Sequence, residues 1–284
     1  MAGPVIHSLN CSTMCPRGAV RMGIVAPDPG HLVAHCLLIE GADGLILVDT
    51  GFGTEDVHHK QRLGWVRLMT GPKLTLEETA IEQIKALGHQ PGDVRHIIAT
   101  HLDLDHAGGL GDFPGAEVHV HRTELAEALH PTVRTRARYR TAQWEHGPKW
   151  VEHEPQQGDP WFGFDRAKLL EASGVEIAMI ALHGHTHGHC GVAVNTGDGW
   201  LLHAGDAYLD HGEIATPPVT TTGRSMYHSI NSLDEQLRRR NVARLAELAR
   251  DEAAGVTVFC AHDAREFEQV RARNAAASAA AAPA

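Results

Sequence analysis

Four times along the chain, an apolar run of strand length ends abruptly in histidine or aspartate. "HIIAT" runs into "HLDLDHAGGL" (101–110), "VEIAMIAL" into "HGHTHGH" (183–189), "GWLLH" into "AGDAY" (204–208) and "GVTVFC" into "AHD" (261–263). A strand held in a sheet fixes where the residue after it stands, so side chains carried on several strand ends can be directed at one place. The recurrence predicts a sheet-based fold with a polar centre built by its loops. It marks the cluster His101, Asp103, Asp105 and His106, together with His185, Asp206 and His262, as candidate ligands.

Within the first cluster the polar side chains alternate at 101, 103 and 105 and then double at 106, so a short extended loop could aim three of them one way. That is an arrangement suited to a metal. With 22 histidines in 284 residues, neighbours such as His58 and His59 need no function at all. A solvated polar loop, or a helix start capped by Asp105, is the structural alternative for the cluster itself.

Between these points, strand-like and helix-like segments follow one another. "HLVAHCLLIEG" and "GLILVDTGFG" read as strands joined by a hairpin turn at Gly41-Ala42-Asp43-Gly44. Residues 75–88 combine a capping-box start at Thr75 and Glu78, apolar Leu76, Ala80, Ile84 and Leu87, and a closing glycine, which predicts an amphipathic helix. "AEVHVH" and "CGVAVNT" predict strands, the latter followed by a turn at 197–199. "RTELAEAL" predicts a short helix and "SLDEQLRRRNVARLAELARDEA" a long one. Periodicity fails over about 131–165, expected to be an irregular insertion or flap, and the low-complexity end "NAAASAAAAPA" (274–284) is expected to be mobile.

Composition excludes several functions. A net charge of −10 argues against a general nucleic-acid or anionic-membrane surface, because both call for clustered lysine and arginine. "RTRARYR" (134–140) is the local exception, expected as a solvated face or mobile flap rather than a phosphate grip. No stretch approaches the ~18–20 apolar residues of a membrane span. The opening "MAGPVIHSLN" lacks the segments of a secretory signal, so a cytoplasmic location is expected. The five scattered cysteines read as reduced thiols, with a weak metal pair or a disulfide at Cys11 and Cys15 as the alternative.

Taken in order, "VDTGFG", "THLDLDHAGG", "GHTHGH", "GDAY" and "AHD" resemble the motif series of the metallo-β-lactamase superfamily, over about residues 33–262. The resemblance implies an α/β fold, a four-layer αββα sandwich spanning 1–284 as one domain. It also implies a two-metal site on one edge, where a metal-bound hydroxide hydrolyses esters, lactones, thioesters, amides or phosphodiesters. "HAGG" and the "GH" ending look closest to N-acyl homoserine lactonases, which makes the opening of a lactone, or cleavage of a carboxylic ester, in a small molecule the implied activity. Phosphodiesterase or nuclease action, β-lactam hydrolysis and non-catalytic metal binding are the alternatives. Assembly as a homodimer is left open.

Carried over position by position, His101, Asp103 and His185 would form a first metal site and Asp105, His106 and His262 a second, with Asp206 bridging both. Asp103 stands where the family usually has histidine. His183, His187 and His189 are left with supporting roles. Asp105 would also accept the nucleophile's proton and pass it to the leaving alkoxide. Tyr208 would donate a hydrogen bond to the substrate, with core packing as its alternative. The ligand set suits two divalent ions, zinc first, with iron or manganese also accommodated. The charge on Asp103 predicts a first site that exchanges metal more readily and favours manganese or iron. Phe52, Trp65, Met69, Trp161 and Tyr227 are candidates for an apolar pocket, against ordinary core packing.

Overall fold

The computed structural model describes residues 3–18, 31–155 and 159–281. One six-stranded sheet is formed by β1 (Val5–Met14), β2 (Leu32–Gly41), β3 (Gly44–Val48), β4 (Val94–Ile98), β5 (Glu117–His121) and β6 (Lys149–His153), lying side by side in that order. The first three strands pair antiparallel and the rest parallel. The second sheet runs in the order β12 (Val256–Phe259), β11 (Trp200–His203), β10 (Cys190–Asn195), β9 (Val175–Ala181), β8 (Phe164–Ala172) and β7 (Asp159–Trp161). Here β11 and β12 are parallel and their neighbours antiparallel. The helices are α1 (Thr54–His58), α2 (Arg67–Thr70), α3 (Ala80–Ala86), α4 (Arg122–Leu129), α5 (Thr222–Asn231), α6 (Glu235–Arg250) and α7 (Ala264–Ala281).

The layering follows from the side-chain alternation of the strands. Leu37, Ile39, Ile46 and Val48 point inward, where they meet Ile177, Met179, Val192 and Val194 of the second sheet. Their neighbours Leu38, Leu45 and Leu47 point outward onto Ala80 and Ile84 of α3 and Leu125 and Ala128 of α4. On the far side Ala178, Ile180, Ala193 and Leu202 receive Val242, Leu245 and Leu248 of α6. Because both faces of the central strands are covered, these segments read as unbroken apolar runs. Each large aliphatic side chain buried there stabilises the fold by about 1.5–3 kcal/mol. The result is the expected αββα sandwich. Among the described residues no helix is long and apolar enough to cross a membrane. The five cysteines are all free thiols.

Several local expectations are revised. Over 75–88 the chain makes a 3-10 turn at Leu76–Glu78 and only then α3, because Glu78 does not cap a helix. Its carboxylate accepts the Thr13 N–H at 2.6 Å and the Thr13 hydroxyl at 2.8 Å, tying the turn to β1. The segment expected to be irregular contributes the edge strands β6 and β7 and the start of β8. The alanine-rich end is helical as far as Ala281, in keeping with alanine's helix propensity, and residues 282–284 of the expected mobile tail lie outside the described residues.

Candidate active site

The ends of β4, β9, β11 and β12 deliver the four histidine and aspartate groups to one edge of the sandwich. Beyond β4 the chain turns back on itself, with the His106 and Ala107 N–H groups donating to the Asp103 carbonyl at 3.0 and 3.1 Å. That turn places Asp103 and Asp105 beside the ends of the other three strands. Two groups of donor atoms result, one on each side of Asp206. Asp206 Oδ2 is 3.9 Å from His101 Nε2 and 3.5 Å from His185 Nε2. Asp103 Oδ2 is 3.5 Å from His101 Nε2 and 3.1 Å from His185 Nε2. Asp206 Oδ1 is 3.2 Å from His106 Nε2 and 3.1 Å from His262 Nε2, and His262 Nε2 is 3.6 Å from Asp105 Oδ2. In a tetrahedral zinc site with bonds of 2.0–2.1 Å the ligand atoms stand about 3.3 Å apart. The observed spacings scatter around that length.

Within the site, four buried atoms complete no hydrogen bond: His101 Nε2, His106 Nε2, Asp103 Oδ1 and Asp206 Oδ1. Buried polar atoms are normally paired, so convergent orphans of this kind fit divalent cations. The opposite ring nitrogens are held from outside. His106 Nδ1 lies 2.8 Å from Asp49 Oδ2, His101 Nδ1 2.9 Å from the Thr100 hydroxyl, and His262 Nδ1 2.7 Å from the Val33 carbonyl. Donation to Asp49 and to the Val33 carbonyl leaves the inward Nε2 of His106 and His262 with a lone pair. Asp49 also accepts the Thr100 N–H at 2.8 Å and its hydroxyl at 2.7 Å, so one carboxylate braces the end of β4 and a histidine of the centre.

His189 sits behind the site. Its Nδ1 donates to the Leu182 carbonyl at 2.9 Å and its Nε2 accepts the Asp206 N–H at 2.9 Å, which fixes the aspartate's backbone. This approach explains the glycine in "AGDAY": a Cβ on Gly205, whose φ is +55°, would stand 2.5 Å from His189 Nε2. "VDTGFG" and "HAGG" are explained by each other. A Cβ on Gly108 would meet the Gly51 carbonyl oxygen at 2.7 Å and the Phe52 Cα at 2.8 Å, so these two loops touch backbone to backbone beneath the site.

Without cations the electrostatics are those of a crowded charge cluster. Burial opposes ionisation of Asp206, but His262 and His106 hold its carboxyl well below the usual range. Burial likewise disfavours charged His262, and Asp206 nevertheless lifts it to about 9. His106 is raised well above its ordinary value against the same burial, by Asp206 and Asp49. His185 goes the other way, to about 4, through burial and the charge of Arg138.

Arg138 is the neighbour that motif reading missed. Its Nη1 donates to Asp103 Oδ2 at 2.6 Å and lies 2.9 Å from His185 Nε2, while Nη2 donates to the Asn231 carbonyl at the end of α5. The "RTRARYR" run is therefore no free flap. Arg134 donates to the Ser232 carbonyl at 3.0 Å and Arg140 to the Arg62 carbonyl at 3.0 Å. An arginine run in an acidic chain was the available signal, but not the partners.

The Tyr208 hydroxyl already has a partner in Glu266. The tyrosine is fully buried, packs with Leu202, Leu245 and Cys260, and its hydroxyl donates to Glu266 at 3.1 Å. Core packing, the alternative to a substrate contact, is what the geometry provides. Tyr208→Phe is expected to leave turnover unchanged and to lower stability by about 1 kcal/mol, measured by steady-state kinetics and denaturant unfolding. Among the proposed pocket residues, Phe52 and Trp161 are buried, whereas Trp65 and Met69 are exposed at 64% and 52%. Tyr227 is half-buried against the Phe52, Leu63 and Leu104 cluster. Its hydroxyl pKa is raised by burial and by the nearby charges of Asp206 and Asp105.

The chain matches the metallo-beta-lactamase superfamily over residues 29–247. A probable metallo-hydrolase of Mycobacterium tuberculosis is 41% identical over 274 residues, covering 94% of this chain and 82% of its own. An N-acyl homoserine lactonase of Bacillus thuringiensis is 38% identical over 110 residues, 37% of this chain and 44% of its own length. In three dimensions the chain resembles an N-acyl homoserine lactone hydrolase solved with the product N-hexanoyl-L-homoserine at its catalytic metal centre. The TM-score is 0.69 at 24% identity, over 95% of this chain and 97% of that one. The chain belongs to the metallo-β-lactamase superfamily. Within it, the chain is a metallo-hydrolase.

Proposed function

We propose that the chain is a dinuclear hydrolase that opens lactones or cleaves carboxylic esters of small molecules, with zinc as the first candidate metal and iron or manganese accommodated by the same donors. The observation that carries this reading is the placement of Asp206 between the two histidine pairs, with Oδ2 toward His101 and His185, Oδ1 toward His106, and His262 within 3.1–3.2 Å of both oxygens. His101, Asp103, His185 and Asp206 would hold one ion, and Asp105, His106, His262 and Asp206 the other. When bound, such a pair supplies a water of lowered pKa and polarises a carbonyl oxygen.

The chain's own residues do the rest. The side chain of Asp105 is 15% exposed, so its carboxylate can reach both the donors and an entering substrate, accept a proton from the attacking water and return it to the leaving alkoxide. Tyr227 takes the hydrogen-bonding role that the sequence suggested for Tyr208. Burial, and after it the charges of Asp206 and Asp105, keep its phenol protonated and able to donate to a substrate oxygen. Trp65 just before α2, Leu68 and Met69 on α2, and Met226 and Ile230 on α5 leave large apolar surfaces exposed. These segments pack through Leu63, Val66 and Tyr227 against Leu104 of the ligand loop, so the apolar surface flanks the site and suits a substrate with an acyl or alkyl group.

Two observations disfavour a phosphodiester. The overall charge is −10, and Arg138, the arginine of its run nearest the centre, is already paired with Asp103. Metal-loaded protein should release acid from lactones or aryl esters at least tenfold faster than it cleaves bis-p-nitrophenyl phosphate or a β-lactam. Faster phosphodiester or β-lactam turnover overturns the substrate class, and no turnover of any of the four favours a non-catalytic metal-binding role. Tyr227→Phe should lower kcat/KM about tenfold, whereas an unchanged value would remove Tyr227 from the reaction.

A further inference from the structure

We propose that the Arg138 guanidinium is a tethered cation that competes with a metal ion for the His101–Asp103–His185 donor group, so that the two metal sites of this chain differ in affinity. The inference rests on the reading of these donors as a metal centre and adds a residue outside the ligand motifs.

Arg138 Nη1 stands 2.6 Å from Asp103 Oδ2 and 2.9 Å from His185 Nε2, two of the four atoms that enclose the first donor group. A guanidinium has only donors, so in the tautomer that can ligate a metal, where Nε2 carries no proton to give Asp103 Oδ2 at 3.1 Å, its contact with His185 uses the Nε2 lone pair. That nitrogen has one lone pair and serves either Arg138 or a metal. Asp103 can serve both, because each carboxylate oxygen has two acceptor positions. An ion entering the first group must therefore take His185 from Arg138, while Asp103 keeps its ion pair.

The charges point the same way. Asp103 adds a negative charge where a histidine would be neutral, and the guanidinium cancels it, so the extra carboxylate gives the first group no added attraction for a cation. Arg138 is also anchored at its other end, since Nη2 donates to the Asn231 carbonyl. Its side chain is 13% exposed and cannot swing freely into solvent. The second group has no such competitor: among the described residues no lysine or arginine pairs with Asp105 or Asp206. A weaker first site is thus set by Arg138, and the charge of Asp103 alone does not account for it.

The test is a titration of metal-free full-length protein with zinc and, separately, manganese, against a chelator of known affinity. Wild type should bind one ion tightly and a second at least tenfold more weakly. Arg138→Gln should tighten the weaker step at least tenfold and move the tighter one less than twofold, the tight step also reporting that the protein has folded. If Arg138→Gln fails to fold, Arg138→Lys decides: lysine keeps the charge but cannot span His185, Asp103 and Asn231 together, and it should tighten the weaker step by a smaller factor. A weaker step that stays the same or loosens in the folded variant overturns the competition while leaving the metal centre standing. Wild type that takes up no metal overturns the metal centre and the competition with it.

Discussion

Replacing Asp105 by asparagine is expected to lower kcat about 10²–10⁴-fold at saturating metal, the range associated with loss of a positioned proton carrier. The amide keeps the size of the carboxyl and removes its ability to take up a proton. It also weakens the donor group formed with His106 and His262, which is why the measurement needs metal in excess. The fold should persist, because Asp105 accepts no hydrogen bond from another part of the described chain and its ion pair with His262 Nε2 spans 3.6 Å. An unchanged melting curve of metal-free protein, together with the kinetic loss, would confine the effect to the reaction. Unchanged turnover rules out the role given to Asp105.

The largest combined effect on folding and metal binding is expected from Asp49→Ala. The Asp49 carboxylate is buried and accepts from the Thr100 N–H, the Thr100 hydroxyl and His106 Nδ1. Its removal leaves three buried donors without their acceptor, at about 1–3 kcal/mol each. Metal-free protein should lose about 3 kcal/mol or more of unfolding free energy. His106 would also lose the acceptor that keeps its Nδ1 protonated and its Nε2 free, a change that typically weakens metal binding 10–100-fold. Denaturant unfolding and metal titration read the two effects separately. A variant with unchanged metal affinity would show that His106 is oriented by something other than Asp49.

What the sequence conveyed about the centre follows from where its information lies. His101, His106, His185, Asp206 and His262 each stand just past a long apolar run, so the strand and the polar residue are visible in the same short stretch. The roles of Asp49 and Arg138 are not local. Asp49 meets His106 across 57 positions and Arg138 meets Asp103 across 35, and nothing beside either residue announces the partner. Tyr208 was misleading for the same reason: its distance in sequence from Asp206 says nothing of the direction its ring takes, which is set by Glu266, 58 positions away.

The fold was legible in its centre and obscure at its margins. The central strands are covered on both faces and advertise themselves as apolar runs. In β1, by contrast, His7, Ser8, Asn10, Ser12 and Thr13 interrupt the pattern, because this strand lies at the edge of its sheet. At the opposite edge Lys149 and Glu152 give β6 a similarly mixed composition. The 75–88 helix starts later than its spacing predicts because Glu78, a capping residue by spacing, is claimed by Thr13 from β1.

Where the metal binds is located most directly by anomalous scattering from crystals grown with excess zinc. Two peaks ~3.5–4 Å apart are expected, one on each side of the Asp206 carboxylate. One should be bounded by His101, Asp103 and His185, with Arg138 withdrawn from His185, and the other by Asp105, His106 and His262. Absence of zinc between these residues, or a single peak with Asp103 turned away from it, contradicts the account.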